Sequence, residues 1–279
     1  MKQRIITALV ALAIFVPCLI FSDKIVFDIL IAIICGIAVF EVLRCLHLAS
    51  HLTILVPSLI LALFVPFTAR QINLKMGYPV FLLSVVIVYM LYIFSASMFS
   101  KGKIVVTDAA LAAMMTLYVI MGFGGILYIR GLGIAGEFIY WIIFISSWIP
   151  DTGAYFVGVK FGKHKLIPDV SPKKTVEGAI GGIVTCVLVF IIYTVIVNAI
   201  GKIHLNYFLM ILAGVILAVA SMIGDLIASL VKRHYKTKDY GKILPGHGGV
   251  MDRFDSVLAT SSILFVLSLI PAFMDNLLV

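Results

Sequence analysis

Three aspartates in the C-terminal half of the chain have the side-chain type and the spacing to bind a divalent cation. Asp225 lies inside a long apolar run, where a carboxylate at the centre of a membrane helix costs about 2.5–3.5 kcal/mol unless it finds a partner. Asp252 and Asp255 are three residues apart, so on a helix they share one face. Together the three offer hard oxygen ligands, which Mg²⁺ prefers alongside phosphate groups. A structural explanation also stands, because a neighbouring helix can satisfy Asp225 and carboxylates often stabilise a helix N-terminus.

Basic residues and serines accompany Asp225. Lys232 and Arg233 follow it at the end of the apolar run, where their charges suit phosphate oxygens. Ser221 and Ser229 lie four residues before and after Asp225, which predicts that all three share one helical face. The pattern therefore indicates a polar face on an otherwise apolar helix.

A glycine-rich turn precedes Asp252 in the stretch "KILPGHGGVMDRFDS", residues 242–256. Gly248 and Gly249 carry no side chain, so the backbone N–H groups of the turn are able to approach a phosphate. His247 either contacts the ligand or braces the turn, and the residue types do not decide between these two roles.

A second basic segment reads "DVSPKKTVEG", residues 169–178. Ser171 followed by proline is typical of a helix start, and it would place Lys173 and Lys174 in a first turn, where anions are stabilised. Lysines that mark the cytoplasmic side of a membrane protein also explain this pair. Asp151, at the end of another apolar run, is a further candidate whose role the sequence leaves open.

These pieces together predict a pocket with carboxylates for a divalent cation and cationic side chains for phosphates. Neither a Walker A sequence nor a dinucleotide-binding glycine fingerprint is present, so a nucleotide domain of the soluble type is not predicted. The six histidines and four cysteines show no zinc-binding spacing, and the cysteines are interpreted as small buried hydrophobes. The residues support a phosphate-bearing substrate that is reached from the membrane.

The elements that must position these residues are membrane helices. The 279 residues are 63% hydrophobic and 12% charged, with a mean hydropathy of +1.20, which is typical of an integral membrane protein. The sequence therefore predicts an all-α, polytopic membrane protein with nine transmembrane helices. They are expected at about 5–22, 25–43, 52–69, 79–99, 105–129, 138–158, 179–200, 206–231 and 256–278. The first is interpreted as an uncleaved helix, since no small-residue cleavage site follows it.

Charge in the connections predicts the orientation. If nine helices alternate, 16 of the 21 Lys and Arg residues fall on the side of the N-terminus, which predicts an N-in and C-out topology. The net charge of +8 is explained by this asymmetry and by an anionic ligand, so no nucleic-acid partner is predicted. Glycines in "MGFGG" (121–125) and "GAIGG" (178–182) predict close packing between helices.

Polar residues are distributed unevenly along the chain. Residues 1–130 are interpreted as N-terminal transmembrane helices that form a scaffold, a cavity wall and a place for dimer contacts. Residues 131–279 are interpreted as the catalytic region, with cytoplasmic loops at 159–178 and 232–255 that carry most of the polar side chains.

The run from Ser229 to Asp255, "SLVKRHYKTKDYGKILPGHGGVMDRFD", resembles the diagnostic motif of phosphatidate cytidylyltransferases, also called CDP-diacylglycerol synthases. The motif positions present at the family's spacing are Ser229, Lys232, Arg233, Lys238, Asp239, Gly241, Pro245, His247, Gly248, Gly249, Asp252, Arg253, Phe254 and Asp255. "DTGAYFVG" (151–158) and "SPKKTVEG" (171–178) are similar to further segments of that family, in the expected order. The resemblance extends over the whole chain and is strongest over 140–260.

The resemblance implies transfer of the cytidylyl group of CTP to phosphatidate, which gives CDP-diacylglycerol and pyrophosphate in phospholipid biosynthesis. It also implies a homodimer with a cavity open to cytosol and membrane, and the bacterial type of chain favours the inner membrane. By position it implies that Asp225 and Asp252 bind Mg²⁺, with K⁺ as a second cation, and that they act in catalysis with Asp255 and Lys232. The implied substrate-binding residues are Lys173, Lys174, Ser171, Ser221, Ser229, Arg233, Lys238, Asp239, His247, Gly248, Gly249 and Arg253.

Other functions compete with this one. An ion-coupled membrane transporter would bind its cation at intramembrane Asp225 and would produce flux across liposomes without CTP. A CDP-alcohol phosphatidyltransferase would need an aspartate pattern that begins with an Asp-Gly pair, which the chain does not contain. A related cytidylyltransferase that uses an archaeal ether lipid stays open, because its head-group chemistry is the same.

Overall fold

The computed structural model describes residues 16–72, 77–244, 246 and 248–278. Over these residues the protein consists of helices and one short β-hairpin. The helices are α1 (described over 16–20), α2 (Ile25–Cys45), α3 (Leu52–Phe67), α4 (Gly77–Phe99), α5 (Val106–Arg130), α6 (Gly133–Ile139), α7 (Trp141–Phe161), α8 (Val176–Ile200), α9 (Tyr207–His234), α10 (Met251–Ser268) and α11 (Pro271–Leu277). The strands are β1 (Lys165–Ile167) and β2 (Ser171–Thr175).

The helices are those of an all-α, polytopic membrane protein, as predicted. Six segments within the described residues are long and apolar enough to cross a membrane: Ile25–Cys45, Gly77–Phe99, Val106–Arg130, Gly133–Phe161, Val176–Ile200 and Tyr207–His234. Helices α10 and α11 make a seventh if they are taken as one span. Helix α3 is apolar but has only 16 residues, and most of the predicted first span lies outside the described residues. The predicted number of nine is therefore not confirmed.

The last predicted span, 256–278, differs most from the structure. Its helix α10 begins earlier, at Met251, and ends at Ser268. Helix α11 then begins at Pro271 and is bent by 95° from α10. Proline has no backbone N–H and a fixed φ, so it starts a new helix readily but does not continue an existing one. The predicted span 256–278 therefore consists of two helices joined by a bend.

The chain folds into two compact units. The first comprises the described residues up to Tyr128 together with His234–Phe254, and the second comprises Ile129–Arg233 together with the described residues from Asp255 onward. Helix α10 therefore begins in the first unit, with Asp252, and continues in the second, with Asp255.

In the first unit, a buried ion pair joins the two ends of the α2–α3 hairpin. Arg70, just after α3, donates to Asp28 near the start of α2 at 2.6 Å, and it also donates to the Ser22 carbonyl at 3.0 Å. Close packing at "MGFGG" is confirmed at Gly124, because a Cβ placed there would overlap the hydroxyl of Tyr78. Small residues thus allow neighbouring helices to approach closely, as in other membrane proteins.

In the second unit, α7 and α8 pack along a seam of glycines. A Cβ on Gly153 would lie 2.6 Å from Thr185 Oγ1, and one on Gly181 would lie 2.5 Å from Val157. Both distances are shorter than a van der Waals contact, so only glycine fits these positions as they stand. The close packing predicted for "GAIGG" is confirmed here.

A two-stranded antiparallel hairpin precedes α8, and it corrects the predicted helix start. Residues 171–175 form strand β2, in which Ser171 pairs with Ile167 and Thr175 with Lys165. Helix α8 begins at Val176 because Thr175 is extended and its Oγ1 accepts the N–H of Gly178 at 3.1 Å, as an N-cap. The two lysines that follow Pro172 therefore lie on a strand and not in a first helical turn.

The hairpin is braced from the first turn of α8. Glu177 accepts the backbone N–H groups of Lys163 and His164, and its Oε1 lies 2.6 Å from His164 Nδ1. These bonds attach the beginning of the hairpin to the helix that follows it. The two ends of the hairpin are consequently held at the first turn of α8.

Candidate active site

Three carboxylates from three helices of the second unit lie within electrostatic reach of one another. Asp151 is carried by α7, Asp225 by α9 and Asp255 by the beginning of α10. The charges of Asp225 and Asp151 both act on Asp255, and the charge of Asp225 acts on Asp151. Asp255 is buried, whereas Asp151 is exposed. We call these three residues the carboxylate cluster.

Two lysines neutralise part of this charge. Lys174 on β2 places its Nζ 2.5 Å from Asp225 Oδ2, and the two side chains are 24% and 28% exposed. Lys232, in the last turns of α9, is buried and acts on Asp255. Counted by side chains, the cluster contains one more carboxylate than ammonium. That excess favours a bound cation.

Asp252, in the first unit, uses its side chain differently. Its Oδ2 accepts the N–H groups of Tyr240 at 2.8 Å and Gly249 at 3.0 Å, with a longer contact to the Gly241 nitrogen at 3.4 Å. The residue is 7% exposed. One oxygen of Asp252 therefore organises the segment 240–251, which we call the glycine loop.

The glycine loop contains the tight turn that the sequence predicted. Leu244 donates its N–H to the Gly248 carbonyl at 3.0 Å, and Gly246 and Gly248 have φ values of +77° and +86°. Glycine is favoured at such positive φ, so these two positions suit no ordinary side chain. Pro245 and His247 lie outside the described residues, and the role predicted for His247 is not tested. The Gly249 N–H, which was predicted to suit a phosphate, is donated to Asp252.

Helix α2 contacts both ends of the glycine loop. Glu41 accepts the N–H of Met251 at 2.9 Å through Oε2, and Arg44 donates from Nη2 to the Tyr240 carbonyl at 2.8 Å. Neither residue was predicted as part of a site. Glu41 could have been identified from the sequence, because it is a carboxylate within an apolar run, as Asp225 is, and such residues are candidates for functional sites.

A basic cavity of about 560 Å³ lies beside the start of the glycine loop, within the first unit. Its polar lining includes Lys238, Asp239 and Lys242 from the chain before and within the loop, together with Arg44. Three permanent cations against one carboxylate suit an anionic ligand. Lys238 and Asp239, both predicted as substrate-binding, thus lie at a cavity.

Other predicted residues have less distinctive surroundings. The hydroxyl of Ser221 is buried and donates to the Ser147 carbonyl at 3.4 Å, so it contributes to packing between α9 and α7. Ser229 is half-buried one turn after Asp225, and Ser171 opens β2. Arg233 and Arg253 are exposed, each one residue after a buried member of the motif.

One more polar pair anchors the segment that follows α9. The Tyr235 hydroxyl donates to Asp108 Oδ1 at 2.6 Å, and burial together with this hydrogen bond raises the pKa of Tyr235 above its usual value. The phenol therefore stays protonated as a donor at neutral pH. No local sequence pattern connects these two distant residues.

The residues present fit Mg²⁺ in their chemistry. Among the described residues, no group of three or more His, Cys, Asp or Glu side chains is arranged to hold a metal ion. Mg²⁺ does not require such a cage, since it usually takes one or two carboxylates, keeps several waters and uses substrate phosphates. The carboxylate cluster, with one more carboxylate than ammonium, offers donors of this kind.

The fold and these residues define a class: a polytopic membrane protein whose carboxylates, lysines and basic cavity suit phosphate chemistry at helix ends. Sequence comparison gives the family. A sequence model described as "Cytidylyltransferase family" matches residues 2–270. The chain belongs to this family.

Similar proteins extend over nearly the same length. A phosphatidate cytidylyltransferase of Staphylococcus epidermidis is 35% identical over 267 residues, covering 96% of this chain and 98% of the relative. One of Bacillus subtilis (strain 168) is 34% identical over 269 residues, covering 96% and 97%. One of Staphylococcus aureus (strain COL) is 34% identical over 267 residues, covering 96% and 98%. These comparisons give no support to an ion-coupled transporter.

Proposed function

We propose that this chain transfers the cytidylyl group of CTP to phosphatidate, releasing pyrophosphate and forming CDP-diacylglycerol. The observation that carries the proposal is similarity over 96% of the chain to proteins named phosphatidate cytidylyltransferase. The site agrees with it, because the carboxylate cluster and its lysines provide charges for a nucleotide and a lipid phosphate. The acyl chains can remain in the bilayer while the head group enters from the side.

The reaction needs little acid–base chemistry from the protein. The phosphate of phosphatidate is already an anion, and one of its oxygens attacks the α-phosphorus of CTP. The bond from that phosphorus to the oxygen bridging to the β-phosphorus breaks, and pyrophosphate leaves with that electron pair. The main obstacle is that two anions must approach, so catalysis depends on positioning and on neutralising charge.

The chain's own cations would provide this positioning. Lys174 contacts Asp225 and Lys232 acts electrostatically on Asp255, and we assign both lysines to oxygens of the reacting phosphates. Lys173 and Arg233, which are exposed, would hold oxygens farther from the reacting centre. Lys238 and Lys242 in the basic cavity would bind phosphates of CTP.

Asp225 and Asp252 remain the proposed ligands of Mg²⁺, and K⁺ the proposed second cation. This assignment depends on the motif positions and on the preference of Mg²⁺ for carboxylate oxygens. When bound, the ion would neutralise charge on the triphosphate and on the pyrophosphate that leaves. Asp255 is buried close enough to sense the charge of Asp225, and we assign it to maintaining the negative potential that favours the cation.

We further propose nine transmembrane spans with N-in and C-out topology in the bacterial inner membrane. The excess of Lys and Arg in alternate connections supports this orientation. It would place loops 159–178 and 232–255, and with them the active site, on the cytoplasmic side, where CTP is available. A homodimer is proposed on the family resemblance alone.

The direct test uses detergent-purified protein, CTP labelled at the α-phosphate, phosphatidate and Mg²⁺. Label should enter the organic phase, and EDTA or Asp252→Asn should prevent this while the variant keeps a normal gel-filtration profile. An ether-linked phosphatidate analogue in a parallel reaction distinguishes the two lipid classes. A folded wild-type protein that transfers no label to either lipid would refute the proposed function, and normal turnover in Asp252→Asn would refute the metal assignment.

A further inference from the structure

Glu41 is a buried carboxylate with an incomplete set of partners. It lies near the end of α2 and is 0% exposed. Its Oε2 accepts the N–H of Met251, whereas its Oε1 has no hydrogen-bond partner among the described residues. Burying a carboxylate without pairing both oxygens is unfavourable. The contacts of Glu41 must therefore explain why a carboxylate occupies this buried position.

Two glycines of the glycine loop press against this carboxylate. A Cβ on Gly241 would overlap Glu41 Oε1, and a Cβ on Gly249 would overlap both carboxylate oxygens. The backbone therefore approaches Glu41 so closely that only glycine fits. Glu41 explains the absence of a side chain at Gly249, and Glu41 together with the Gly249 backbone explains it at Gly241. Neither position has a left-handed backbone, which Gly246 and Gly248 have instead.

Arg44 completes the contact from the same helix. It lies three residues after Glu41, so both side chains leave one face of α2. Arg44 holds the carbonyl of Tyr240, where the glycine loop begins, and Glu41 holds the N–H of Met251, where it ends. Asp252 then closes the loop from within by accepting the Tyr240 and Gly249 N–H groups.

We infer that Glu41 and Arg44 are positioning residues for the cytidylyl transfer. They fix the two ends of the glycine loop on α2, and the fixed loop sets the orientation of Asp252 at the start of α10. Neither needs to touch a substrate for this role. The effect on turnover rests on the proposed function, because it assumes that Asp252 takes part in the cytidylyl transfer. The anchoring of the loop does not.

The first experiment measures steady-state kinetics of Glu41→Gln and Glu41→Asp. Glutamine keeps one acceptor oxygen for Met251 but loses the negative charge and places an amide NH₂ against the two glycines, and aspartate withdraws the carboxylate from the loop. We expect kcat to fall about tenfold or more, as for residues that orient a metal ligand, while the KM for phosphatidate changes little. Glu137→Gln is the matched control, since Glu137 is an exposed glutamate of α6. A wild-type kcat in both Glu41 variants would overturn the inference.

A second pair of variants remains informative if the first fold poorly. Gly249→Ala should reduce activity strongly because the atoms nearest its Cβ all belong to Glu41, and adding Glu41→Ser should restore part of that loss by removing the carboxylate. Strictly additive losses would contradict the contact.

For Arg44→Gln, a fall in kcat at saturating CTP is expected, whereas a change confined to the KM for CTP would show binding and not positioning.

Hydrogen exchange separates failure of this inference from failure of the proposed function. Without substrates, the amides of Tyr240, Gly249 and Met251 should exchange at least about tenfold faster in Glu41→Asp, which withdraws the acceptor from the loop, than in wild type or Glu137→Gln. Unchanged exchange would overturn the anchoring role whatever reaction the protein catalyses. Faster exchange with no lipid-linked label from wild type would instead confirm the anchoring and refute the reaction.

Discussion

At the scale of single side chains, strand geometry separates two lysines that are adjacent in the sequence. Successive side chains of a strand point to opposite faces, so Lys174 reaches Asp225 while Lys173 is exposed. A helical turn, which the sequence predicted, would have placed both near the same helix end. The structure therefore assigns the two residues different importance.

Lys174→Ala should reduce kcat/KM by about tenfold or more, because it removes a cation from a crowded carboxylate cluster. Lys173→Ala is the matched comparison and should cause a clearly smaller loss. Label transfer at several CTP concentrations measures both. Equal losses in the two variants would contradict the distinction drawn from β2.

Tyr235→Phe tests the anchor between the segment after α9 and the start of α5. The variant loses a hydrogen bond to a carboxylate, which typically contributes about 1.5–3 kcal/mol. We expect a lower midpoint of chemical denaturation in detergent micelles. Tyr155→Phe, at an exposed tyrosine, should leave the midpoint near that of wild type. Equal denaturation midpoints in the two variants would argue against the anchor.

At the scale of helices and strands, the glycine seam determines how α7 and α8 approach each other. Asp151 is carried by α7, and the strand with Lys174 leads directly into α8. The seam therefore holds two residues of the candidate site on one closely packed helical pair. Wider helix spacing would move the carboxylate and the lysine apart.

Gly181→Ala should destabilise this pair by about 1–3 kcal/mol, because the new methyl group overlaps Val157. Thermal unfolding in detergent measures the loss. Val184→Leu is a suitable control, since it adds bulk on the same helix at an exposed position. A Gly181→Ala protein as stable as this control would show that the seam relaxes without cost.

Much of this arrangement follows from the sequence, and the exceptions have physical causes. Asp225 and the serines around it were placed correctly on a continuous helix, because a long apolar run leaves little ambiguity about the type of secondary structure. The β-hairpin was missed because Pro172 suits a strand edge as well as a helix start, and only the extended Thr175 decides where α8 begins. Contacts between residues far apart in the chain, such as Glu41 with Met251, produce no local pattern.

At the scale of the whole molecule, the distribution of charge and the helices together predict how the chain lies in the membrane. Connections around Lys103 are expected inside and those around Lys202 outside. Both lysines are exposed, so each can be exchanged for a reporter without disturbing the core.

In a version without the native cysteines, Lys103→Cys should react with an impermeant thiol reagent only after the cytoplasmic side is opened. Lys202→Cys should react in intact spheroplasts. This pattern would support the N-in and C-out orientation, and the reverse pattern would invert it. Equal labelling of both from outside would contradict the alternation of spans between them.

The ion pair between Asp28 and Arg70 has a consequence for biogenesis. Asp28 is buried near the start of α2, and its ion-pair partner Arg70 follows α3 in the chain. Removing one partner of a buried ion pair is strongly destabilising, so α2 gains stability when Arg70 joins Asp28. We expect α2 and α3 to leave the translocon together as a helical hairpin, with the ion pair between Asp28 and Arg70 formed before either helix contacts lipid.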